Sequence, residues 1–132
     1  MPIRVIPCVG AIIKDPAGRL LLIKRGHEPG KGLWSVPGGR IEAGETDAEA
    51  LVREVREETG LTVTPGPLIG SVRRPGGDGT ELHIRDYAAL ISGGDLAPGD
   101  DADDARWVAP EDVGSLSLTA GLLDALRDWQ VL

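Results

Sequence analysis

The sequence contains no phenylalanine, and its aromatic residues make up only 3% of 132 residues. Any stacking on a flat ring therefore falls to Trp34, Trp107, Trp129 or Tyr87. Trp34 adjoins a glycine-rich segment and is the best placed of the four to meet a ligand, while Trp107 and Trp129 suit core packing. Cysteine is equally scarce. Cys8 is the only one, which excludes an intrachain disulfide and fits a reducing, cytoplasmic compartment. No placed base accompanies it, so a buried strand cysteine is a better reading than a catalytic thiol. Basic residues are also in short supply, 14 Lys and Arg against 21 Asp and Glu, for a formal net charge of -7. That balance argues against a broad nucleic-acid or membrane-facing surface, which depends on accumulated positive charge. A small anionic substrate stays compatible if metal ions or a few basic side chains are placed locally. Long apolar runs are missing too. Val5 to Ile13 is interrupted by Pro7, stops at Lys14-Asp15 and lacks a small-residue cleavage site, so it reads as a buried strand, not as a signal peptide or a membrane span.

What is present is ordinary for one compact globular domain over residues 1–132, with a hydrophobic fraction of 41% and a charged fraction of 27%. The 19 Gly and 10 Pro imply many turns. Val5 to Ile13 and Leu20 to Ile23 flank Asp15-Pro16-Ala17-Gly18, which predicts an opening β-hairpin. Gly26 to Gly32 suits a mobile loop, and Leu33 to Val36 gives a short strand ending at Pro37-Gly38-Gly39. Extended stretches follow at Leu61 to Val72, with a break at Pro65-Gly66-Pro67, and at Leu82 to Ile91. Arg74 to Thr80 reads as a turn between them, and Arg106 to Ala109 as a short strand. Thr119 to Leu132 carries Leu122, Leu123, Leu126 and Trp129 at helical spacing and predicts a closing helix. Strands dominate, so the fold class is α/β or α+β, a mixed sheet packed between helices.

The clearest helix begins at Thr46. Ala48, Leu51, Val52, Val55 and Thr59 form one stripe, Thr46 and Glu49 have the spacing of a capping box, and Gly60 stands where a left-handed cap belongs. Glu54, Glu57 and Glu58 fall together on the face opposite the stripe. Such a cluster is self-repelling by about 0.2 to 0.5 kcal/mol per pair and calls for cations. A solvated face stabilised by Glu49–Arg53 and Arg53–Glu57 pairs is the plainer alternative.

The surrounding residues decide between these. Gly39, Glu45, Arg53, Glu54, Val55, Glu57, Glu58, Gly60 and Leu61 match every specified position of the pattern G-x5-E-x7-R-E-U-x-E-E-x-G-U, where U is bulky and aliphatic. The segment resembles the Nudix box, and seven fixed letters with two aliphatic positions make that pattern far more specific than a lone glycine-rich loop. Leu33 to Gly39 resembles the usual lead-in strand, and Gly99 to Val108 a common late segment. The resemblance implies an α/β/α sandwich with a mixed sheet and hydrolysis at a pyrophosphate bond. It further implies Glu54, Glu57 and Glu58 as metal ligands with the Gly39 carbonyl, Glu54 or Glu57 as the base that activates water, and Arg53 with Glu45 as the pair that orients the carboxylates. Asp101 or Asp104 would complete the metal site from the late loop. Mg²⁺ is the implied cofactor, with Mn²⁺ able to substitute: hard carboxylate oxygens suit it, and it would neutralise phosphate and activate water.

Arg25, Arg40 and Arg73 are the basic residues chosen for substrate phosphates, with Lys24, Lys31 and Arg74 as further possibilities, and Trp34 as the stacking ring. The implied partner is a small nucleotide, with no nucleic acid and no membrane; a homodimer is compatible with the resemblance. The leading expectation is a nucleoside diphosphate derivative of the ADP-ribose or nucleotide-sugar type. The alternatives are a MutT-like nucleoside triphosphate pyrophosphohydrolase, a hydrolase of RNA 5' ends, which the acidic balance disfavours, and a ligand sensor without catalysis.

Overall fold

The computed structural model describes residues 3–99 and 102–132. In chain order the elements are β1 (Arg4–Ile12), β2 (Leu20–Arg25), β3 (Trp34–Ser35), β4 (Gly38–Arg40), α1 (Asp47–Thr59), β5 (Leu61–Gly77), β6 (Thr80–Gly94), β7 (Ala102–Val108), α2 (Pro110–Val113) and α3 (Leu122–Asp128). Two sheets form. One has four strands in the order β4-β1-β6-β5, and the other three in the order β3-β2-β7. The β1–β6 pair is parallel and the β1–β4 and β5–β6 pairs are antiparallel, so the larger sheet is mixed, as expected.

The opening hairpin is only partly realised. Its turn closes, with the Asp15 amide donating to the Arg19 carbonyl at 3.0 Å and the Asp15 carboxylate accepting from the Ala17 and Arg19 amides. Beyond the turn the arms separate, β1 into the larger sheet and β2 into the smaller. The physical reason lies in the facing of β2, whose alternate residues serve two cores. Leu21 packs with Val9, Leu51 and Val55 beneath α1, whereas Leu20 and Leu22 pack with Trp34, Val108 and Leu126 beneath α3. The two helices thus cover opposite faces of the paired sheets, giving the α/β/α sandwich.

β5 and β6 are longer than expected. The segment 74–80 is mostly strand, turning only at Asp78-Gly79, both with positive φ. The break at Pro65-Gly66-Pro67 survives as a register shift between Pro65 and Leu68. β7 starts at Ala102, four residues before the expected strand, and α2 was not foreseen. The closing helix is shorter than predicted, because Gly121 at φ 79° begins it and it ends at Trp129. Among the described residues no helix is long and apolar enough to cross a membrane.

Candidate active site

Helix α1 is the platform. Thr46 Oγ1 accepts from the Glu49 amide at 3.1 Å and the Glu49 carboxylate accepts from the Thr46 amide at 3.0 Å, the reciprocal box its sequence predicts. Gly60 closes the helix at φ 76° with its amide on the Arg56 carbonyl. Ala50, Leu51 and Val55 are fully buried beneath the sheets, which fixes how the opposite face is presented.

On that face Arg53 gathers the carboxylates. Its Nε donates to Glu45 Oε2 at 2.7 Å and one Nη to Glu45 Oε1 at 2.8 Å, a bidentate pair. The other Nη reaches Glu54 Oε1 at 2.8 Å and Glu57 Oε2 at 3.2 Å. The Arg53 hydrogen bonds, followed by the Glu42 amide, hold the Glu45 carboxyl down at about 2, and the same Glu45 bonds push the Arg53 guanidinium above its ordinary value. The expected Arg53–Glu57 pair forms; the expected Glu49–Arg53 pair does not, because Glu49 is folded back into the helix cap.

Glu58 does not share the solvated surface with its neighbours. It is buried, and its Oε1 accepts from the Gly38 amide at 2.7 Å, tying the helix to the loop before it. A Cβ on Gly39 would stand 2.6 Å from the Glu54 carboxyl, so backbone and carboxylate are in direct contact only because residue 39 has no side chain. Gly99 makes a similar approach at the other end of the helix, where a Cβ would stand 1.5 Å from the Glu57 carbonyl.

Among the described residues no three acidic or imidazole groups converge as a ready-made metal cage. The donor set still fits a hard divalent cation, since it offers three carboxylates along the last helical turns and backbone against one of them. Arg53 stands where positive charge is wanted and draws Glu54 and Glu57 towards itself.

Beside the platform opens a cavity of about 330 Å³, lined in part by Gly38, Gly39, Arg25 and Arg40. Two of the three arginines chosen for substrate, Arg25 and Arg40, thus border it. Arg25 is held by the Gly26–Gly32 loop, which is closely tied to the chain around it: Arg25 Nε donates to the Pro29 carbonyl at 2.7 Å and the Gly32 amide to the Arg25 carbonyl at 2.8 Å.

Several expected site residues lie elsewhere or fall outside the described residues. Trp34 does not line the cavity, because β3 turns its ring into the core beneath α3, where Arg106 stacks 5.1 Å from the ring centroid. Arg73 points away from the cavity with an exposed side chain near Glu81, because strand alternation gives the inward position to Arg74. Lys24 and Lys31 also lie outside the lining. Asp104 is engaged with the Ala105 amide and Arg106 instead of the box, and Asp101 lies outside the described residues. The buried Asp86 of β6 also lines the cavity and was missed in the sequence. Its only signal there is the charged pair Arg85-Asp86 inside an otherwise largely apolar run.

The mixed sheet, the capped helix and the carboxylate platform together define a class. Residues 5–129 match the NUDIX domain family, and the chain belongs to it. It is similar, at 42% identity over 100 residues, to an ADP-ribose pyrophosphatase of Methanocaldococcus jannaschii, covering 74% of this chain and 57% of that protein. It also resembles an 8-oxo-(d)GTP phosphatase of Mycolicibacterium smegmatis, 39% identical over 82 residues, covering 62% of this chain and 25% of that one. The chain therefore spans less than two thirds of the length of these relatives. Among solved structures, the MutT protein of Methanosarcina mazei Go1 superposes with a TM-score of 0.88 at 26% identity, over 98% of this chain and 96% of that one. Nudix hydrolases generally use divalent metal ions.

Proposed function

We propose that this protein is a divalent-metal-dependent hydrolase that cleaves the pyrophosphate bond of a nucleoside diphosphate derivative, of the ADP-ribose or nucleotide-sugar type, with Mg²⁺ as cofactor and Mn²⁺ able to substitute. The observation that carries the proposal is the Arg53 clamp, which holds Glu54 and Glu57 at 2.8 and 3.2 Å beside Gly39 and next to a cavity bordered by Arg25 and Arg40.

Glu54, Glu57 and Glu58, with the Gly39 backbone, would hold the metal, which when bound neutralises phosphate charge and lowers the pKa of water. Arg25 and Arg40, which line the cavity, would meet the diphosphate oxygens and set the reacting phosphorus beside the helix. Arg53 takes no proton at working pH. Its bidentate bond to Glu45 fixes the guanidinium, which positions Glu54 and Glu57. One of these two carboxylates accepts the proton of the attacking water as its oxygen bonds to phosphorus. The bridging P–O bond breaks and its oxygen leaves with the other half of the substrate. The products are a nucleoside monophosphate and a phosphorylated remainder, and no covalent enzyme intermediate is required.

The test is hydrolysis with Mg²⁺ of ADP-ribose, nucleotide sugars, dinucleoside polyphosphates and nucleoside triphosphates, with products identified. Nucleoside monophosphate released from a diphosphate derivative is the expected result. Glu57→Gln should abolish turnover with folding intact, and a variant retaining full activity would overturn the mechanism. A second reading, a nucleoside triphosphate pyrophosphohydrolase, is supported by the name of an Escherichia coli relative, CTP pyrophosphohydrolase, 40% identical over 72 residues and covering 54% of this chain and 53% of that one. It would be distinguished by pyrophosphate among the products.

A further inference from the structure

Asp86 lies in the middle of β6, paired with Gly10 of β1 on one side and with Gly70 of β5 on the other. Its side chain faces the cavity and is 2% exposed, and its Oδ1 has no hydrogen-bond partner among the described residues. A Cβ at position 10 would stand 1.9 Å from that oxygen, so Gly10 is what leaves space for the carboxyl on this face. Arg74 reaches the same cavity from β5. One Nη donates to Thr119 Oγ1, while its Nε is buried without a partner.

The two groups oppose in charge yet do not hydrogen-bond to one another, so a buried acceptor and a buried donor are both left unmade in one cavity. Unsatisfied buried polar groups are costly and rare in folded proteins, and a pair of complementary ones facing a cavity marks where a ligand completes them. Much of the remaining lining is hydrocarbon, with Leu82 and Ile84 from β6, Val36 from the loop and Leu122 from α3, while Arg25 and Arg40 border the same cavity. Desolvation pushes the Asp86 carboxyl up to about 7, with Arg74 opposing, which agrees with a carboxyl lacking compensation in the free protein. A phosphate would be repelled by Asp86, and a sugar would leave the apolar walls unmatched. A flat heterocycle with polar atoms on its rim meets both.

We propose that Asp86 and Arg74 read the nucleobase of the substrate, Asp86 accepting from a ring-edge N–H and Arg74 donating to the neighbouring ring-edge acceptor, so that this pair selects which base is bound. The inference rests on the nucleotide-hydrolase reading above. It goes further by naming the specificity-determining residues, neither of which belongs to the Nudix box.

The experiment is calorimetric titration, in EDTA, of wild-type protein, Asp86→Asn and Arg74→Gln with AMP, GMP, CMP, UMP and ribose 5-phosphate, beside thermal unfolding and kcat/KM on the corresponding substrates with Mg²⁺. The wild type should bind one monophosphate at least about tenfold more tightly than ribose 5-phosphate, which lacks a base. Each variant should lose about tenfold or more for that monophosphate and for kcat/KM on its parent substrate, while ribose 5-phosphate binding stays within about twofold. Asp86→Asn should unfold at the same or a higher temperature, because it removes an uncompensated buried carboxyl. Variants that keep the wild-type base ranking and affinity would overturn the inference. So would a uniform loss across all ligands, ribose 5-phosphate included, with a lowered melting temperature, since that would make the pair structural. If the wild type neither binds nor cleaves any nucleotide, the hydrolase reading itself fails and takes this inference with it.

Discussion

One guanidinium, that of Arg53, meets Glu45, Glu54 and Glu57 within 3.2 Å and Glu42 at 3.6 Å. Glu45 has the most to lose from removal of that contact, since its carboxyl is held at about 2 against an ordinary 4.5. An acid whose folded pKa is depressed contributes stability above its unfolded value, and the contribution fades as pH falls from about 4.5 to 2. The melting temperatures of wild type and Glu45→Gln should therefore differ most above pH 5 and converge towards pH 2 in unfolding followed by circular dichroism. A gap independent of pH would contradict the assignment. Gly39→Ala probes the same site from the other side. Its new Cβ would lie 2.6 Å from the Glu54 carboxyl and must displace it, so turnover should fall about tenfold or more in steady-state assays while the circular dichroism spectrum is unchanged. At this scale the spacing within the box made the Glu45–Arg53 pair legible, because a fixed pattern carries its partners with it. Arg74 and Asp86 were not legible as a pair. Which of Arg73 and Arg74 faces inward depends on a strand whose register shifts at several points, and a one-residue slip exchanges the two faces.

Helix α1 carries every box side chain that converges here except Glu45, and its start is secured by two hydrogen bonds at Thr46. Thr46→Ala removes one of them outright, and urea denaturation should show a loss of about 1 kcal/mol, with an unchanged m-value. A loss well under half of that would mean that burial of Leu51 and Val55 alone sets the helix boundary. The helix was readable from its cap, its stripe and its Gly60 stop because all three are local. The hairpin was not. Its turn chemistry closed Asp15 to Arg19 as expected, but no local signal says that the residues on either side belong to different sheets. That division is settled by tertiary packing, where Leu21 goes under one helix and Leu20 and Leu22 under another. The closing helix fails in a related way. Its leucine spacing identifies the buried face correctly at Leu122 and Leu126, yet a glycine in the left-handed region at 121 delays its start.

Over the whole molecule the charge of -7 is unevenly met. Asp15 and Asp47 each have an arginine partner of their own, whereas Glu54 and Glu57 share the guanidinium of Arg53 with Glu45. A cation that binds this surface only when α1 and the Gly38-Gly39 loop are assembled must stabilise the folded state by mass action. At tenfold above its Kd, Mg²⁺ should add about 1.4 kcal/mol, raising the melting temperature by about 5 °C for a domain of this size. The control is NaCl at matched ionic strength, which screens the repulsion among the carboxylates without coordinating them. Glu54→Gln should lose most of the Mg²⁺-specific rise, whereas Asp104→Asn, on a side chain engaged with Arg106, should keep it in full. Equal rises with NaCl and MgCl₂ would reduce the platform to a screened acidic face. A rise abolished by Asp104→Asn would move the metal towards the β7 edge and away from the box helix.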